Sequence, residues 1–207
     1  MTSKKLVELS LLIGVLGTYA VLYYLNNNYQ YFDLWHVPRT TFDDLISFSP
    51  YWIWVYLTAY LLPVFMFFYL SRLKLHLHFL ELFFILTILT NIFFFLFPTT
   101  IDRVSVPIDG VDPLTKLAFE ILFSTDKPFT CFPSTHVSTS FVAAMSVRQF
   151  PKVFMIFIGF SALISYSAMA IGQHYLYDAL GGAMVAFMSV GFKERLKKVW
   201  AVVSKRL

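Results

Sequence analysis

Residues 79–97 read FLELFFILTILTNIFFFLF, a stretch in which Glu81 is the only charged side chain. A helix of about 20 apolar residues crosses the hydrocarbon core of a bilayer. The whole chain has the same character, because 58% of its 207 residues are hydrophobic, 19% are aromatic and 14% are charged. Soluble domains carry about 25% charged residues, so the composition excludes a soluble globular protein and indicates an integral membrane protein.

Several further apolar stretches have a similar length. The six predicted spans are residues 6–25, 51–70, 79–97, 134–150, 153–172 and 174–192. They predict an all-α integral membrane protein, a six-transmembrane helix bundle forming a single membrane domain over residues 1–207. The fourth span is unusual, because Ser and Thr residues together with His136 make its first two turns polar.

Two loops separate these spans by more than a few residues. Residues 26–50 mix aromatic and charged side chains, and they form either an interfacial segment near the lipid headgroups or an ordinary connecting loop. Residues 98–133 form the longest loop and contain a predicted short amphipathic helix from Leu114 to Phe123. Long loops of this kind often carry function.

Lys and Arg are distributed unequally between the two sides of the predicted bundle. With the N-terminus inside, twelve of them lie on the inner side and four on the outer side. This bias predicts that both termini are cytoplasmic and that the 98–133 loop faces the periplasm, a lumen or the exterior. The basic tail, residues 193–207, then suits contact with anionic lipids rather than with nucleic acid.

Residues that bind metals or form disulfides are few. Cys131 is the only cysteine, so neither an internal disulfide nor a four-cysteine zinc site can form. His76 and His78 alternate in a predicted inner loop without a third ligand nearby. We therefore predict no metal and no cofactor.

Several polar side chains lie at those ends of the predicted spans that are on the opposite side of the membrane from the chain termini. They are Arg103, Ser134, His136, His174 and Asp178. His136 and His174 are 38 positions apart, which is one helix down and one helix back. Spans four and five can therefore bring the two imidazole rings together.

Two of these features have both a structural and a chemical interpretation. Ser134 follows Pro133 and precedes a helix, so it is either a simple N-cap or part of an anion site made by the free N–H groups of the first turn. His174 and Asp178 share one helix face. They form either a structural polar pair or a histidine that its carboxylate orients for nucleophilic attack.

The remaining two residues complete a phosphoryl-transfer hypothesis. Such catalysis combines positioning, charge stabilisation and proton donation to the leaving oxygen. We expect one histidine to attack and the other, His136, to protonate. Arg103 either clamps the non-bridging oxygens with its planar fork of donors or is an ordinary residue at a span end that reaches toward the headgroups.

These residues resemble the motifs of the type 2 phosphatidic acid phosphatase and haloperoxidase superfamily, over about residues 95–190. The motif Pro-Ser-Gly-His is similar to Pro133-Ser134-Thr135-His136, and Ser-Arg-x5-His-x3-Asp is similar to Ser167-Ala168 followed by His174 and Asp178 at the same spacing. The resemblance implies the six-span bundle of that family. It also implies that His174 is the nucleophile, that Asp178 orients it, that His136 is the general acid and that Arg103, Ser134 and Thr135 bind phosphate.

The chain departs from the family pattern at the phosphate-binding cations. The first motif, Lys-x6-Arg-Pro, places its lysine at Leu96 and its proline at Val104 when Arg103 is the arginine, and Ala168 replaces the arginine of the third motif. Lys127 and Lys116 are candidates for the missing positive charge. The residues from Pro98 to Arg103 are similar to the Pro-Thr-x-x-Pro-Arg of inositol phosphorylceramide synthase-like proteins, with Asp102 in place of the second proline.

The motifs predict a metal-independent lipid phosphatase that acts at the non-cytoplasmic face through a phosphohistidine on His174. The alternative that the branch resemblance favours is a lipid phosphotransferase, with a lipid or headgroup hydroxyl as acceptor. More remote alternatives are an intramembrane serine protease using Ser134 with His174, and a non-enzymatic lipid transporter. The partners expected in every case are the bilayer and a phospholipid or lipid phosphate; the oligomeric state is left open.

Overall fold

A computed structural model describes residues 3–103 and 110–204 of the chain. Within these two ranges the fold is helical apart from two short strands that pair in parallel, β1 (Trp35–His36) and β2 (Thr99–Thr100). The helices are α1 (Ser3–Asn28), α2 (Thr41–Leu45), α3 (Ile53–Ser71), α4 (His76–Leu96), α5 (Pro113–Thr125), α6 (Thr135–Ser146), α7 (Pro151–Ala170) and α8 (Leu176–Val203). A 3₁₀ turn, Pro50–Trp52, leads into α3.

Four helical segments of the described chain are long and apolar enough to cross a membrane. They are Ser3–Asn28, Pro50–Ser71, His76–Leu96 and Pro151–Ala170, and each contains most of a span that hydropathy predicts. The expectation of an all-helical membrane protein is confirmed in this form. The finer expectation of six spans is not confirmed, because the other two predicted spans differ from the helices observed.

The fourth predicted span, residues 134–150, is wrong in length. Helix α6 has 12 residues and ends at Ser146, which gives it a length of about 18 Å. The hydrocarbon core is about 30 Å thick, so α6 alone does not cross it. Residues 147–150 form a turn, since Pro151 starts the next helix and disfavours helical backbone at the residue before it.

The sixth predicted span, residues 174–192, is part of a longer helix. Helix α8 has 28 residues and continues to Val203, so the basic segment 193–207 begins inside a helix rather than as a separate tail. Lys, Glu, Arg and Leu are good helix formers, and residues 192–203 contain neither proline nor glycine to stop the helix. Residues 205–207 lie outside the described part of the chain.

Helix α6 lies at the centre of the bundle and packs against α3, α4, α7 and α8. The hydroxyls of its buried serines bond back to carbonyls of the same helix. Ser138 donates to the carbonyl of Thr135 at 3.1 Å, and Ser140 donates to that of Val137 at 2.7 Å. Small side chains with internally satisfied hydroxyls allow close packing, and this explains the polarity of the fourth apolar stretch.

The two long loops contain ordered elements. The helix predicted from Leu114 to Phe123 is confirmed as α5, which is two residues longer at its C-terminus and begins at Pro113. Its N-cap, Asp112, accepts hydrogen bonds from the N–H groups of the first turn and from the Thr115 hydroxyl. These bonds lower the pKa of the Asp112 carboxyl below its usual value. The 26–50 segment carries β1 and α2, so it is not a featureless loop.

Candidate active site

The N-termini of α6 and α8 meet at one end of the bundle. The Ser134 N–H donates to the backbone carbonyl of Asp178 at 3.0 Å, which joins the two predicted motifs directly. Two glycines permit this approach: a Cβ on Gly182 would lie 2.6 Å from the Ser134 carbonyl oxygen, and one on Gly181 would lie 2.2 Å from the Phe132 ring. Small residues in α8 therefore allow α6 and α8 to pack closely at this end.

The structure brings His136 and His174 together. Their ring centroids are 6.0 Å apart. Helix α6 leads the chain away from this end of the bundle, and α7 returns it to the same end. Both side chains are largely buried, with His136 4% and His174 6% exposed. The proximity that the 38-residue separation predicts is therefore present.

Asp178 lies behind His174. Its Oδ2 is 3.4 Å from Nδ1 of His174 and accepts a hydrogen bond from the Tyr175 N–H at 2.8 Å. The carbonyl of Ala168 accepts the N–H groups of Gln173 and His174, which holds this segment against the end of α7. The carboxylate faces Nδ1, so Nε2 of His174 is the nitrogen left for a substrate.

A second carboxylate supports the start of α8, and sequence reasoning did not find it. Oδ1 of Asp43 accepts the Leu176 N–H at 2.7 Å, while Oδ2 accepts the N–H and hydroxyl of Thr40. The spacing Thr40-x-x-Asp43 is a capping-box pattern, and this signal was present in the sequence. Helix α2 is thereby attached to the helix that carries Asp178.

His136 is surrounded by tyrosines of α3, which the sequence analysis also missed. The Tyr56 hydroxyl and Nδ1 of His136 share a hydrogen bond of 2.9 Å. The rings of Tyr56 and Tyr60 lie 4.5 Å and 4.6 Å from the His136 ring, centroid to centroid. Tyrosines are common in apolar spans, so no spacing in the sequence singles these two out.

The two residues before His136 have local partners. Oγ of Ser134 accepts the Val137 N–H at 3.4 Å, so Ser134 is the N-cap of α6. The Tyr19 hydroxyl donates to Oγ1 of Thr135 at 3.5 Å. A capping serine leaves other N–H groups of the first turn free, and its predicted contact with phosphate stays a prediction, as does that of Thr135.

Arg103 contacts the C-terminal end of α5. Its Nη1 donates to the backbone carbonyl of Asp126, and its guanidinium carbon lies 5.5 Å from the Phe123 ring centroid. The Asp126 carboxylate in turn accepts from the Tyr23 hydroxyl at 2.7 Å and from Asn27. Among the hydrogen bonds of the described residues, none joins Arg103 to either histidine, so its clamping role stays a prediction.

The other candidate cations are not brought to the histidines by any contact in the described ranges. Lys116 and Lys127 are both exposed. Leu96, at the family lysine position, is 45% exposed, whereas Ala168, at the family arginine position, is fully buried. Val104, at the family proline position, lies outside the described residues.

A cation that the motifs did not indicate, Arg39, lines a cavity together with His174. The cavity of about 100 Å³ is lined by Arg39, Asp43, Ile46, Phe48, Met169, Gly172, His174 and Tyr175. The Arg39 guanidinium lies 5.9 Å from the Tyr175 ring centroid and pairs with Asp44 at 2.7 Å. The cavity gives a polar approach to the histidine from the segment that precedes α2.

Unsatisfied polar atoms are concentrated at this end of the bundle. In the part of the chain that the structure describes, eight buried side-chain N or O atoms have no hydrogen-bond partner. Apart from those of His76, they belong to Arg103, His136, Gln173, His174 and Asp178. Buried polar groups in native proteins are almost always paired, so a cluster of unpaired ones indicates a site for a polar ligand. Gln173 was not among the residues that sequence reasoning selected.

Over residues 3–103 and 110–204, no group of three or more His, Cys, Asp or Glu side chains is arranged to hold a metal ion.

An apolar helical bundle with two buried histidines facing each other, one backed by a carboxylate, defines a membrane protein with a His-His-Asp site. The family model of the PAP2 superfamily matches residues 30–192 of this chain. The chain therefore belongs to the PAP2 superfamily, whose members are phosphoesterases or phosphotransferases. No curated protein matches the chain.

The match extends further toward the N-terminus than the motifs suggested. It includes α2, α3 and α4 in addition to the 95–190 region, and so it covers Asp43 and Tyr56. The resemblance to inositol phosphorylceramide synthase-like proteins is not confirmed by the match.

Proposed function

We propose that this protein is a metal-independent lipid phosphatase that hydrolyses a lipid phosphate ester or diphosphate through a phosphohistidine on His174. The observation that supports this most is the pair of buried histidines with ring centroids 6.0 Å apart, His136 with its Nε2 unpaired among the described residues and His174 with Asp178 beside its Nδ1. A tetrahedral phosphoryl group offers acceptors and negative charge to these rings, and the helix N-terminus at Ser134 adds free N–H groups.

In the first step, the lone pair of Nε2 of His174 forms the bond to phosphorus as the bond from phosphorus to the lipid oxygen breaks. The electron pair of that bond stays on the leaving oxygen, which takes a proton from His136. The Asp178 carboxylate, whose Oδ2 lies 3.4 Å from Nδ1 of His174, stabilises the positive charge that develops on the ring. This assignment agrees with the separation of 6.0 Å between the two ring centroids, which leaves room for a phosphoryl group between them.

In the second step, water attacks the phosphorus atom and its proton passes to His136, which now acts as a base. The bond between phosphorus and Nε2 of His174 breaks, and inorganic phosphate leaves. His174 must be neutral to attack and His136 protonated to donate, so we expect a bell-shaped dependence of rate on pH.

The proposed substrate is a lipid presented at the non-cytoplasmic face. Four long apolar helices fit a membrane protein, and the excess of Lys and Arg on the side of the termini supports an outward-facing site. A lipid phosphate held in the bilayer places its phosphorus at the boundary where α6 and α8 begin.

A second candidate is a phosphotransferase, in which a lipid or headgroup hydroxyl replaces water in the second step. It is supported by the similarity of Pro98 to Arg103 to the synthase-like branch. The first step and the role of His174 are the same in both cases, so only the acceptor distinguishes them.

The test uses the full chain purified in detergent and supplied with lipid monophosphates and lipid diphosphates, with and without an alcohol acceptor lipid. Release of inorganic phosphate identifies the phosphatase, and headgroup exchange without net release identifies the transferase. Labelled phosphate should be trapped on an acid-labile, base-stable residue, and the His174→Ala variant should lose both turnover and trapping. A matched histidine variant at an exposed position, His36→Ala, should retain them.

Full activity in the His174→Ala variant would overturn this mechanism. Inactivation of the wild type by mechanism-based serine reagents would support the serine protease alternative, in which Ser134 is the nucleophile. Ser134 is engaged as a helix cap, so we expect resistance to those reagents and sensitivity to vanadate.

A further inference from the structure

We propose that Tyr56 is a positioning residue for His136: it fixes which ring nitrogen of that histidine transfers the proton. The inference rests on the proposed function and concerns the donor rather than the nucleophile. Neither the motifs nor the family resemblance assigns a role to Tyr56.

The contact is buried and specific. Tyr56 is 0% exposed and its hydroxyl is 2.9 Å from Nδ1 of His136. The opposite ring nitrogen, Nε2, is buried and has no hydrogen-bond partner among the described residues. One side of the imidazole is therefore engaged by protein, and the other is left for an incoming oxygen atom.

Each ring nitrogen of His136 therefore has a fixed role. When Nδ1 carries a proton, it donates to the Tyr56 oxygen, and Nε2 can then release its proton to the leaving oxygen as the bond to phosphorus breaks. The ring becomes a neutral imidazole that keeps the Nδ1–H bond to tyrosine. In the next step Nε2 takes up a proton from water. Tyr56 thus keeps the tautomer and ring orientation that both steps require.

The contribution of a proton donor to the reaction rate depends on how strongly the leaving group needs a proton. An alkoxide, as in a lipid monophosphate ester, is a poor leaving group and depends strongly on general acid catalysis, whereas an aryl oxide such as p-nitrophenolate does not. Loss of a positioning residue should therefore slow the alkyl ester selectively. A purely structural defect should slow both substrates alike.

The neighbouring Tyr60 provides a matched control in the same helix. Its ring packs at 4.6 Å from the His136 ring, at nearly the same distance as the Tyr56 ring. The hydrogen bond to Nδ1 comes from Tyr56. Tyr56→Phe and Tyr60→Phe remove the same atom from two rings that touch the same histidine.

The experiment measures kcat/KM for a lipid monophosphate and for p-nitrophenyl phosphate, because this ratio reports the steps up to the first phosphoryl transfer. For Tyr56→Phe we expect kcat/KM to fall about 10- to 100-fold with the lipid ester and less than about 3-fold with the aryl ester. For Tyr60→Phe we expect less than about a 3-fold change with either substrate. In a His136→Gln background, adding Tyr56→Phe should cause no further loss.

An equal loss with both substrates, or a further loss in the His136→Gln background, would overturn the positioning role. So would unchanged kinetics in Tyr56→Phe. These outcomes are distinct from failure of the proposed function, which would appear as a wild-type protein that releases no phosphate or a His174→Ala variant that remains active. Thermal unfolding of each variant in detergent separates misfolding from either result.

Discussion

The two ends of the helical bundle each contain a pair of histidines, and the surroundings of the two pairs differ. At one end, His136 and His174 face each other across 6.0 Å, with several buried polar atoms that have no protein partner. At the other end, the His78 ring bonds to the ammonium of Lys193, which also contacts the carboxylate of Glu81.

His76 is the other histidine of the second pair. It differs from His78 because neither of its ring nitrogens has a hydrogen-bond partner among the described residues. It is buried, and its Nε2 lies 3.4 Å from Oε1 of Glu8 without hydrogen-bond geometry. The sequence-based expectation that His76 and His78 lie in a solvated loop is wrong, because both belong to the first turn of α4. No metal is needed to explain them, since the acidic and basic side chains of neighbouring helices lie beside them.

The comparison distinguishes a candidate ligand-binding end from a structural one. Polar groups that neutralise one another hold helices together, as Lys193 of α8 does with Glu81 of α4. Polar groups left without protein partners carry a free energy cost that a ligand, an ion or water can offset. The end with His136 and His174 is of the second kind.

The largest effect that would test this comparison is expected from Asp178→Asn. The amide keeps the volume but no longer stabilises the charged ring of His174, and we expect kcat to fall about 1,000-fold or more. Steady-state phosphate release measures this loss. Asp112→Asn alters another helix-capping carboxylate, whose hydrogen-bond partners are Leu114 and Thr115, and should leave kcat within about 2-fold. Equal losses in the two variants would mean that Asp178 acts only as a cap.

An intermediate effect is expected from Gly182→Ala, which tests the close approach of α6 and α8. Its Cβ would lie 2.6 Å from the Ser134 carbonyl oxygen, so one helix must shift, at a cost of about 1–3 kcal/mol in the free energy of unfolding. Activity should fall as well, because Ser134 and His136 move with α6. Gly191→Ala in the same helix meets nothing within 4 Å and should be neutral or slightly stabilising. Denaturation in detergent checks both variants, and equal stability of the two would contradict the packing argument.

The smallest effect is expected from Lys193→Met, at the opposite end. The variant leaves His78 and Glu81 without their cation, but Glu81 is 62% exposed and can be solvated. We expect about 1 kcal/mol of lost stability and kcat within about 2-fold of the wild type, because no polar atom of the His136 and His174 cluster changes. A large loss of activity per folded molecule would show that the two ends are coupled.

Hydropathy predicted four long apolar helices and the short helix α5, because burial in lipid requires a continuous apolar run and an amphipathic segment requires a regular period. It failed at α6 and α8. The length of α6 is limited by a turn before Pro151, and the end of α8 depends on helix propensity beyond the apolar stretch. Neither feature alters hydropathy, so a window average does not detect it.

The candidate site divides in a similar way. His136, His174 and Asp178 were found from their types and spacing, since an i, i+4 pair shares a helix face and one helical hairpin reunites two distant residues. Their predicted roles await the experiments above. Tyr56 and Gln173 were missed because a contact between helices does not produce a regular spacing of residue types in the sequence. The hydrogen bond of Arg103 to the Asp126 carbonyl could not be predicted either, because it joins two distant parts of the chain.

Composition and spacing were enough to predict that this protein lies in a lipid bilayer and which residues are capable of its chemistry, because both depend on local patterns along one or two helices. The pairing of the polar atoms could be read only from the folded chain. That depends on how α1, α3, α6 and α8 cross one another, since a hydrogen bond between helices forms only when packing sets two side chains within about 3 Å. The same packing connected Tyr56 to His136, joined Asp43 to α8 and directed Arg103 toward Asp126.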